Sequence, residues 1–299
     1  MDNSSQIEAV NKVQIYIEEN LHKRMTLHEL ANVAGYSPWH LSKLFKKYCG
    51  KTIFDYIRAI RLSQAALFLR DNETQIVDVA LNFIFETHEG FTRAFAKEFG
   101  ITPKKYAQTT PPIKLFIPHP VRDWESEKKG KKKMTDQTSV VFAQVIERPA
   151  RKAIIRRGIN ATHYYEYCDE LGCDVHAELT SIKEALYEPI GMWLPPKLIA
   201  PGTSLYVQGV EMPADYDGPV PEGYELIDLE PCMMMIFQGQ QYDDEYFEEE
   251  VGMVMKAIDN YDPEPFGFVW ASDAAPRFQY APLGSRGYIE GRPVRQIAK

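Results

Sequence analysis

The sequence has few cysteines, and none of them are paired in a motif. Cys49, Cys168, Cys173 and Cys232 form no CxxC pair, and no run of histidines accompanies them. Structural zinc sites and disulfide scaffolds need such arrangements. The spacing therefore argues against both, and we expect free thiols in a reducing compartment.

Long apolar runs are also missing. No apolar stretch approaches the ~18 residues that a membrane span requires, and residues 1–8 are polar rather than basic and then apolar. We expect a cytoplasmic protein that makes no membrane contact. There is no nucleophile elbow, phosphate loop or metal cluster, so we predict no cofactor, no metal and no catalytic residue. A Tyr–Glu pair in a cleft, which could perform acid–base chemistry, is the enzyme alternative and has no motif in its support.

The chain has no overall positive charge, since its net charge is -8. The charge is unevenly distributed: residues 1–107 carry +2, residues 108–137 carry +3 and residues 138–299 carry -13. An acidic region is repelled by phosphate. If the protein binds a nucleic acid, the first part of the chain binds it.

What the first 107 residues do contain is helical spacing and an internal repeat. Thr26 with Glu29 predicts a capping box, Gly35 predicts a helix end, and Ser37-Pro38 predicts the next helix start. Leu27-x-x-Leu30-Ala31 with Tyr36 recurs 49 residues later as Ile76-x-x-Val79-Ala80 with Phe85, and residues 41–56 recur at an offset of 50. One helix-turn-helix is used twice, and residues 52–70, free of glycine and proline, predict a continuous helix between the copies.

A recognition helix reads bases through the outward side chains near its amino terminus. Cations recur at the same repeat position, Lys43 and Arg93. The candidate DNA-binding residues are Trp39, His40, Ser42, Lys43, Lys47, Arg61, His88, Glu89, Thr92, Arg93 and Lys97. Two alternatives stay open: Trp39 packs in the helix bundle, and His88 caps the second recognition helix.

These motifs resemble the AraC/XylS family of transcription regulators. The resemblance rests on Gly35-Tyr36-Ser37, on WHLSKLFKK at 39–47 and on FTRAFAKEFGITPKKY at 91–106. It implies two recognition helices about one DNA turn apart on one side of the duplex, and an activator that contacts RNA polymerase. The sequence departs from the better-known drug-resistance members at His88-Glu89, where they have glutamines.

Residues 108–137 contain four prolines and then EKKGKKK at 127–133, a composition typical of a solvated linker. The basic run is either hydrated or in contact with phosphates. We place the linker at 108–137, between a DNA-binding domain at 1–107 and a second domain at 138–299.

The sequence pattern of the second domain predicts short strands. Nine segments rich in β-branched and aromatic residues are separated by Gly/Pro turns; they begin at 140, 152, 191, 204, 224, 232, 266, 277 and 287. Helical spacing appears at 177–186 and again from Asp243 or Asp244 to Ile258. The order strand, helix, strands, repeated once, predicts an α+β domain with an antiparallel sheet and two similar halves.

This half resembles the gyrase-inhibitor-like effector-binding domain of Rob-type regulators, on strand order, on PVPEGY at 219–224 and on YIEGRPV at 288–294. The resemblance implies a cleft between the halves that binds a small-molecule effector. Aromatic faces and a desolvated carboxylate favour flat cations, but Gln279 stands where relatives tend to have an acid, so a neutral ligand stays open. The candidate ligand-binding residues are Trp193, Tyr206, Glu211, Trp270, Phe278, Gln279, Tyr280 and Glu290. Two alternatives stay open for these residues: each aromatic side chain belongs to the core, and each glutamate faces water. A third alternative is that the whole domain is a protein-interaction module that contacts its partner through DDEYFEEE at 243–250.

Overall fold

The computed structural model describes residues 3–121 and 140–298 and divides into two compact units. We call the described residues 3–121 unit 1 and the described residues 140–298 unit 2. Unit 1 is helical, and unit 2 is an antiparallel sheet with helices. In these two stretches, no helix combines the length and the apolarity that a membrane crossing requires.

Unit 1 is built from α-helices joined by tight turns. In chain order they are α1 (Asn3–Glu19), α2 (Leu27–Ala34), α3 (Pro38–Cys49), α4 (Ile53–Asp71), α5 (Ile76–Asn82), α6 (His88–Phe99) and α7 (Pro103–Thr109). The two predicted helix-turn-helix copies are α2 with α3, which we call copy 1, and α5 with α6, which we call copy 2. The predicted connecting helix is α4, whose 19 residues extend about 28 Å.

Local signals begin and end the helices of copy 1 where the sequence predicts. Thr26 and Glu29 form both bonds of the capping box that starts α2. The Ser37 side chain accepts from the His40 backbone N–H, and Pro38 fills the first turn of α3. Gly35 ends α2 with φ 68°, a left-handed conformation that glycine adopts without a Cβ clash.

Copy 2 repeats this backbone with weaker local signals. Thr87 caps α6 by accepting from Gly90 N–H, and Gly100 ends it. At the turn between α5 and α6, however, Ile84 takes the position of Gly35 and has φ 61°. The N-cap of α5 is Gln75, which makes no side-chain capping bond. Copy 2 therefore keeps the turn of copy 1 although its sequence favours that turn less.

Residues 110–121, which the sequence places in a solvated linker, lie against the helices of unit 1. Ile113 and Leu115 are buried, and the Phe116 N–H donates to Ser63 Oγ. The Val121 backbone exchanges two hydrogen bonds with the Asn11 side chain. Burial of these apolar side chains outweighs the local composition. The remainder of the predicted linker from 122, including the basic run at 127–133, lies outside the described residues.

Unit 2 contains one antiparallel sheet. Its strands are β1 (Val141–Arg148), β2 (Arg151–Arg157), β3 (Ile190–Trp193), β4 (Tyr206–Met212), β5 (Glu225–Leu229), β6 (Cys232–Gly239), β7 (Phe268–Trp270), β8 (Arg277–Tyr280) and β9 (Ile289–Gln296). The order across the sheet is β1-β6-β9-β8-β3-β4-β2-β5, and β7 pairs with β9. Each strand coincides with a segment predicted from the sequence.

Helices cover one face of this sheet. They are α8 (Tyr164–Leu171), α9 (Val175–Thr180) and α10 (Phe247–Asp259). Apolar residues of α8 and α9 pack with β2 and β4, whereas α10 packs with β6 and β9. The opposite face has its own core, which combines β2, β3, β4, β6 and β8 with loop residues such as Leu194 and Ala275.

The helices of unit 2 were predicted less well than its strands. Helix α8 was missed, and the helix predicted at 177–186 ends at Thr180. Helix α10 begins at Phe247, after the 3₁₀ turn Asp244–Tyr246.

Candidate nucleic-acid interface and candidate ligand site

The outward face of α3 carries an exposed aromatic residue with a cation stacked on it. Trp39 is 66% exposed, so the alternative that it packs in the bundle is wrong. Lys43 Nζ lies 3.8 Å from the centroid of the Trp39 ring. A lysine so placed, within cation–π distance, has lost part of its rotamer freedom before any ligand arrives.

Two other candidates on α3 do not point outward freely. The His40 ring packs on Tyr36, with centroids 4.8 Å apart, and its buried Nε2 finds no hydrogen-bond partner in the part of the chain that the structure describes. Ser42 is half-buried, and its hydroxyl donates to the Pro38 carbonyl over 2.8 Å. Fewer side chains of α3 are therefore free to contact bases than the sequence predicts.

Helix α6 presents a different chemistry at the same repeat positions. His88, Glu89 and Arg93 are exposed, and Lys97 follows one turn later. His88 is the first residue of α6 rather than its cap, since Thr87 makes the capping bond, so that alternative is wrong. Thr92, at the position of Ser42, is half-buried, and its buried Oγ1 has no hydrogen-bond partner within residues 3–121 and 140–298.

Arg61 is engaged within unit 1 rather than free to reach DNA. Its Nε donates to the Leu21 carbonyl over 2.9 Å, and its Nη2 donates to the Lys23 carbonyl over 2.6 Å. Burial lowers the pKa of this guanidinium. The loop held in this way contacts copy 2, because His22 Nδ1 lies 3.0 Å from the Asn82 carbonyl. Arg61 therefore links the two copies, which sequence spacing does not reveal.

A shallow groove beside α3 combines predicted DNA-binding residues with others, among them Leu27, Phe54 and Lys46, that the sequence does not predict. Its volume is about 560 Å³, and its apolar part is formed by Leu27, Ile53 and Phe54 next to Trp39. Lys46 and Lys47 lie along its edge with Lys43; Lys47 also donates to Tyr48 Oη over 2.9 Å. The helical spacing of Lys43, Lys46 and Lys47 was the available signal for a basic edge.

The strand register divides the predicted ligand residues of unit 2 between the two faces of the sheet. Trp193 pairs with both Tyr206 and Arg277, and Gly191 pairs with both Gln208 and Gln279. Paired residues share a face, and neighbours along a strand alternate. Tyr206, Trp193, Gln279, Glu290 and Trp270 thus share the helix-covered face, whereas Glu211, Phe278 and Tyr280 lie on the other. The eight residues do not form one site.

Both predicted anions are buried and paired with arginines, so neither faces water. Glu211 forms ion pairs with Arg148 and, over 2.7 Å, with Arg151. Glu290 is fully buried and accepts from Arg277 Nη2 over 2.8 Å and from Arg292 Nε. The Tyr288 hydroxyl lies 2.8 Å from Glu290, and burial together with this carboxylate raises the pKa of Tyr288.

The aromatic candidates differ in how far they are buried. Tyr206 and Phe278 are core residues, as the alternative predicts. Trp193, Trp270 and Tyr280 are half-buried. The Trp193 Nε1–H donates to the Thr162 carbonyl over 2.8 Å, Trp270 packs on Phe237, and Tyr280 packs edge-on against Phe278.

Among the described residues, three buried polar atoms on the helix-covered face lack a hydrogen-bond partner in good geometry, although the Tyr206 hydroxyl is close enough to the Gln208 side chain to interact with it. They are Tyr206 Oη, Gln208 Oε1 and Arg277 Nε. The Tyr206 hydroxyl lies beside Gly191, where a Cβ would clash with it. Gln208 is the cross-strand partner of Gly191, and Arg277 is the cross-strand partner of Trp193, two residues along the same strand. Within the residues 3–121 and 140–298, no group of three or more His, Cys, Asp or Glu side chains is placed to hold a metal ion.

Residues 30–109 match the family described as "Helix-turn-helix domain". The chain is 41% identical over 97 residues to the Transposon Tn10 TetD protein of Escherichia coli, a match that covers 32% of this chain and 70% of TetD. It is 34% identical over 97 residues to the HTH-type transcriptional activator AarP of Providencia stuartii, covering 32% of this chain and 72% of AarP.

Another relative is longer than the matched region. The chain is 39% identical over 114 residues to the transcriptional regulator Rob of Salmonella typhimurium, a match that covers 36% of this chain. The match spans only 39% of the length of Rob. The match to Rob therefore leaves most of both proteins outside the comparison.

Proposed function

This chain belongs to the AraC family of transcription regulators, and from that premise we propose that it binds duplex DNA with α3 and α6 in successive major grooves. Membership places it among regulators rather than enzymes, as the sequence predicts. One observation carries the proposal: both helices expose a cation at the same repeat position, Lys43 on α3 and Arg93 on α6. Such side chains donate to guanine O6 and N7 or to phosphate.

The two helices differ in what they offer to bases. Helix α3 presents the ring of Trp39, which can contact the methyl group of thymine, and beside it Lys43, which can donate to a neighbouring hydrogen-bond acceptor. Helix α6 presents Arg93, which can reach guanine with two donors, and Glu89, which can accept from cytosine N4. We therefore propose that the two half-sites have different sequences.

Replacement of Lys43 or Arg93 by alanine tests these roles. Each change removes a base or phosphate contact, so specific binding should weaken by about 1 to 3 kcal/mol. Because the two residues lie in separate copies, the double variant should show approximately the sum of the losses. Electrophoretic mobility shifts of the full chain on a selected DNA measure these values.

Lys12→Ala provides the matched control. Lys12 is exposed on α1 and pairs with Glu8 on the same helix, so its loss removes one charge from unit 1 without touching α3 or α6. Its affinity should stay close to that of the wild type. Equal losses for Lys12→Ala and Arg93→Ala would mean that only net charge is sensed and that α6 reads no bases.

We further propose that the protein activates transcription through contact with RNA polymerase. The support is the relative AarP, which is named a transcriptional activator. Transcription from a promoter with the selected site, with purified polymerase, should rise on addition of the full chain. A fall would identify a repressor.

For unit 2 we propose a gyrase-inhibitor-like effector-binding domain of two similar halves that senses a small molecule. The strand order supports the two halves, because β1-β6-β9-β8 and β5-β2-β4-β3 meet at β8 and β3. In one half, β2 leads through α8 and α9 to β3 and β4. In the other half, β6 leads through α10 and the short strand β7 to β8 and β9. The junction between β8 and β3 is therefore lined by residues from both halves.

The unpartnered polar atoms support a ligand at this junction. Buried hydroxyl, amide and guanidinium groups are nearly always hydrogen-bonded, and each one left unpaired costs about 1–3 kcal/mol. Tyr206 Oη and Gln208 Oε1 belong to residues next to Gly191, and Arg277 Nε belongs to the cross-strand partner of Trp193 on the same face. A polar effector, with water in its absence, would satisfy them.

A thermal-shift screen of metabolites and drugs against the full chain tests this role. A compound that raises the melting temperature should lose most of its effect in Tyr206→Phe, because the hydroxyl is lost while the ring stays. Tyr261→Phe, whose ring packs on Phe237 in the same unit, is the control and should keep the effect. A compound equally effective on both variants binds elsewhere.

A further inference from the structure

The indole of Trp193 and the carboxylate of Glu290 hold a guanidinium that belongs to the chain itself. The Arg277 Cζ lies 4.3 Å from the centroid of the Trp193 ring, and its Nη2 lies 2.8 Å from Glu290 Oε2. An aromatic face together with a desolvated carboxylate is the arrangement that binds an organic cation. In this protein Arg277 makes both contacts.

We propose that Arg277 is a tethered cation that fills a cation-binding site between Trp193 and Glu290 and so excludes organic cations from unit 2. The inference rests on the proposed sensing function and narrows the effector to a neutral or anionic compound. Arg277 is thus a specificity-determining residue.

The charges around Glu290 support this assignment. Glu290 and Asp259 are balanced by Arg277 and Arg292, because Arg292 pairs with both acids. The cluster is therefore neutral with Arg277 in place. An additional cation would have to compete with a guanidinium that is already attached, at no translational entropy cost, to the same two partners. Without Arg277 the cluster would carry one uncompensated negative charge around a fully buried carboxylate.

Accessibility distinguishes Arg277 from the arginines of the other buried acid. Arg148 also lies near aromatic rings, 5.3 Å from Tyr187 and 5.8 Å from Phe278, while it pairs with Glu211. Its side chain is only 8% exposed, and Arg151 occupies the second oxygen of Glu211. The Arg277 side chain is 29% exposed. The space that it fills therefore reaches solvent, so removal of the side chain would open a site rather than a closed cavity.

Binding of benzamidinium, a flat aromatic monovalent cation, to the full-length protein tests the proposal by titration calorimetry. The wild type should bind it weakly, and Arg277→Ala should bind it at least about tenfold more tightly, because the ring and the carboxylate become available. Arg277→Ala with Glu290→Gln should return to the wild-type level, since the anion is lost.

Arg295→Ala is the matched control. Arg295 lies on β9, is exposed and pairs with Asp273, so its removal changes the charge of unit 2 equally without opening the Trp193 site. Its binding should equal that of the wild type. Wild-type protein that binds benzamidinium as tightly as Arg277→Ala would overturn the proposal, as would a folded Arg277→Ala that gains no affinity.

If Arg277→Ala does not fold alone, refolding decides the question. Recovery of the native circular dichroism in benzamidinium chloride but not in sodium chloride of equal ionic strength supports the proposal, and failure in both overturns it. No native effector enters these comparisons. A wild type that no compound stabilises would therefore contradict the sensing function without affecting the result for Arg277.

Discussion

At the scale of single residues, Gly35 determines how the chain enters the first recognition helix. Its φ of 68° lies in the left-handed region, and its N–H bonds back to carbonyls of α2. No heavy atom of the described residues outside its immediate neighbours lies within 4 Å of the place where a Cβ would be. A substitution there would be opposed by backbone strain and not by a clash.

Gly35→Ala should lower the free energy of unfolding of unit 1 by about 1 kcal/mol, because alanine resists the left-handed conformation. Urea denaturation followed by circular dichroism measures it. Gly252→Ala is the control of opposite sign: Gly252 lies inside α10, also with open space around it, so the change should stabilise unit 2 by roughly 0.5–1 kcal/mol. A stabilising Gly35→Ala would contradict the strain argument.

Ile84 shows the same turn without glycine. A β-branched residue at φ 61° costs about 1–3 kcal/mol, and its side chain is half-buried near His22 and Phe83. The internal repeat predicts that a turn exists at this position. It does not predict which copy carries the strain, since that depends on packing around the residue.

The direction in which a polar side chain points was the least predictable feature at this scale. The partners of Glu211, Arg148 and Arg151, lie 63 and 60 residues away in the chain. The register between strands brings them together, and no local pattern encodes it. The sequence therefore identifies Glu211 and Glu290 as notable residues, whereas only the fold reveals that arginines already neutralise them.

At the scale of elements, the loop between α1 and α2 holds the two helix-turn-helix copies in a fixed relation. Arg61 on α4 donates to two carbonyls of this loop. From the loop, His22 packs on Phe83 of copy 2 with ring centroids 5.3 Å apart, and Arg24 pairs with Glu86 over 3.5 Å. Helix α4 provides the distance between copies, and the loop restrains their rotation.

Arg61→Ala should destabilise unit 1 in the absence of DNA by about 1.5–3 kcal/mol, because it leaves two carbonyls without a charged donor. Thermal unfolding of the free protein measures this change. Arg58→Ala is the control one turn earlier: Arg58 is exposed and pairs with Asp55 on the same helix, so it should cost less than about 0.5 kcal/mol. An Arg61→Ala protein that keeps its stability and loses only DNA affinity would restore Arg61 to the DNA-binding set.

Strands and capped helices were predictable at this scale because their signals are local. The nine strands follow short β-branched and aromatic runs, and Thr26, Ser37 and Gly50 mark helix limits directly. Helix α8, with the sequence YYEYCDEL, was missed because its tyrosines also suit strands and its N-cap, His163, makes no side-chain capping bond. Tertiary packing of the fully buried Tyr167 against Tyr206 supplies what the local sequence lacks.

At the scale of the whole molecule, charge is divided between the two halves of the chain. Residues 138–299 carry -13, and the first 107 carry +2. The proposed phosphate contacts therefore depend on a modest set of cations exposed on α3 and α6, chiefly Lys43, Lys46, Lys47, Arg93 and Lys97. Affinity should decline steeply with salt.

We propose that two unlike helices, held in a fixed relation within unit 1, read two segments of DNA. Selection of bound sequences from random duplexes by the full chain tests it most directly. We expect two clusters of preferred bases with centres about 10 bp apart, one helical turn, and Arg93→Ala should erase preference in one cluster only. A single cluster, or two whose spacing varies freely, would contradict the account.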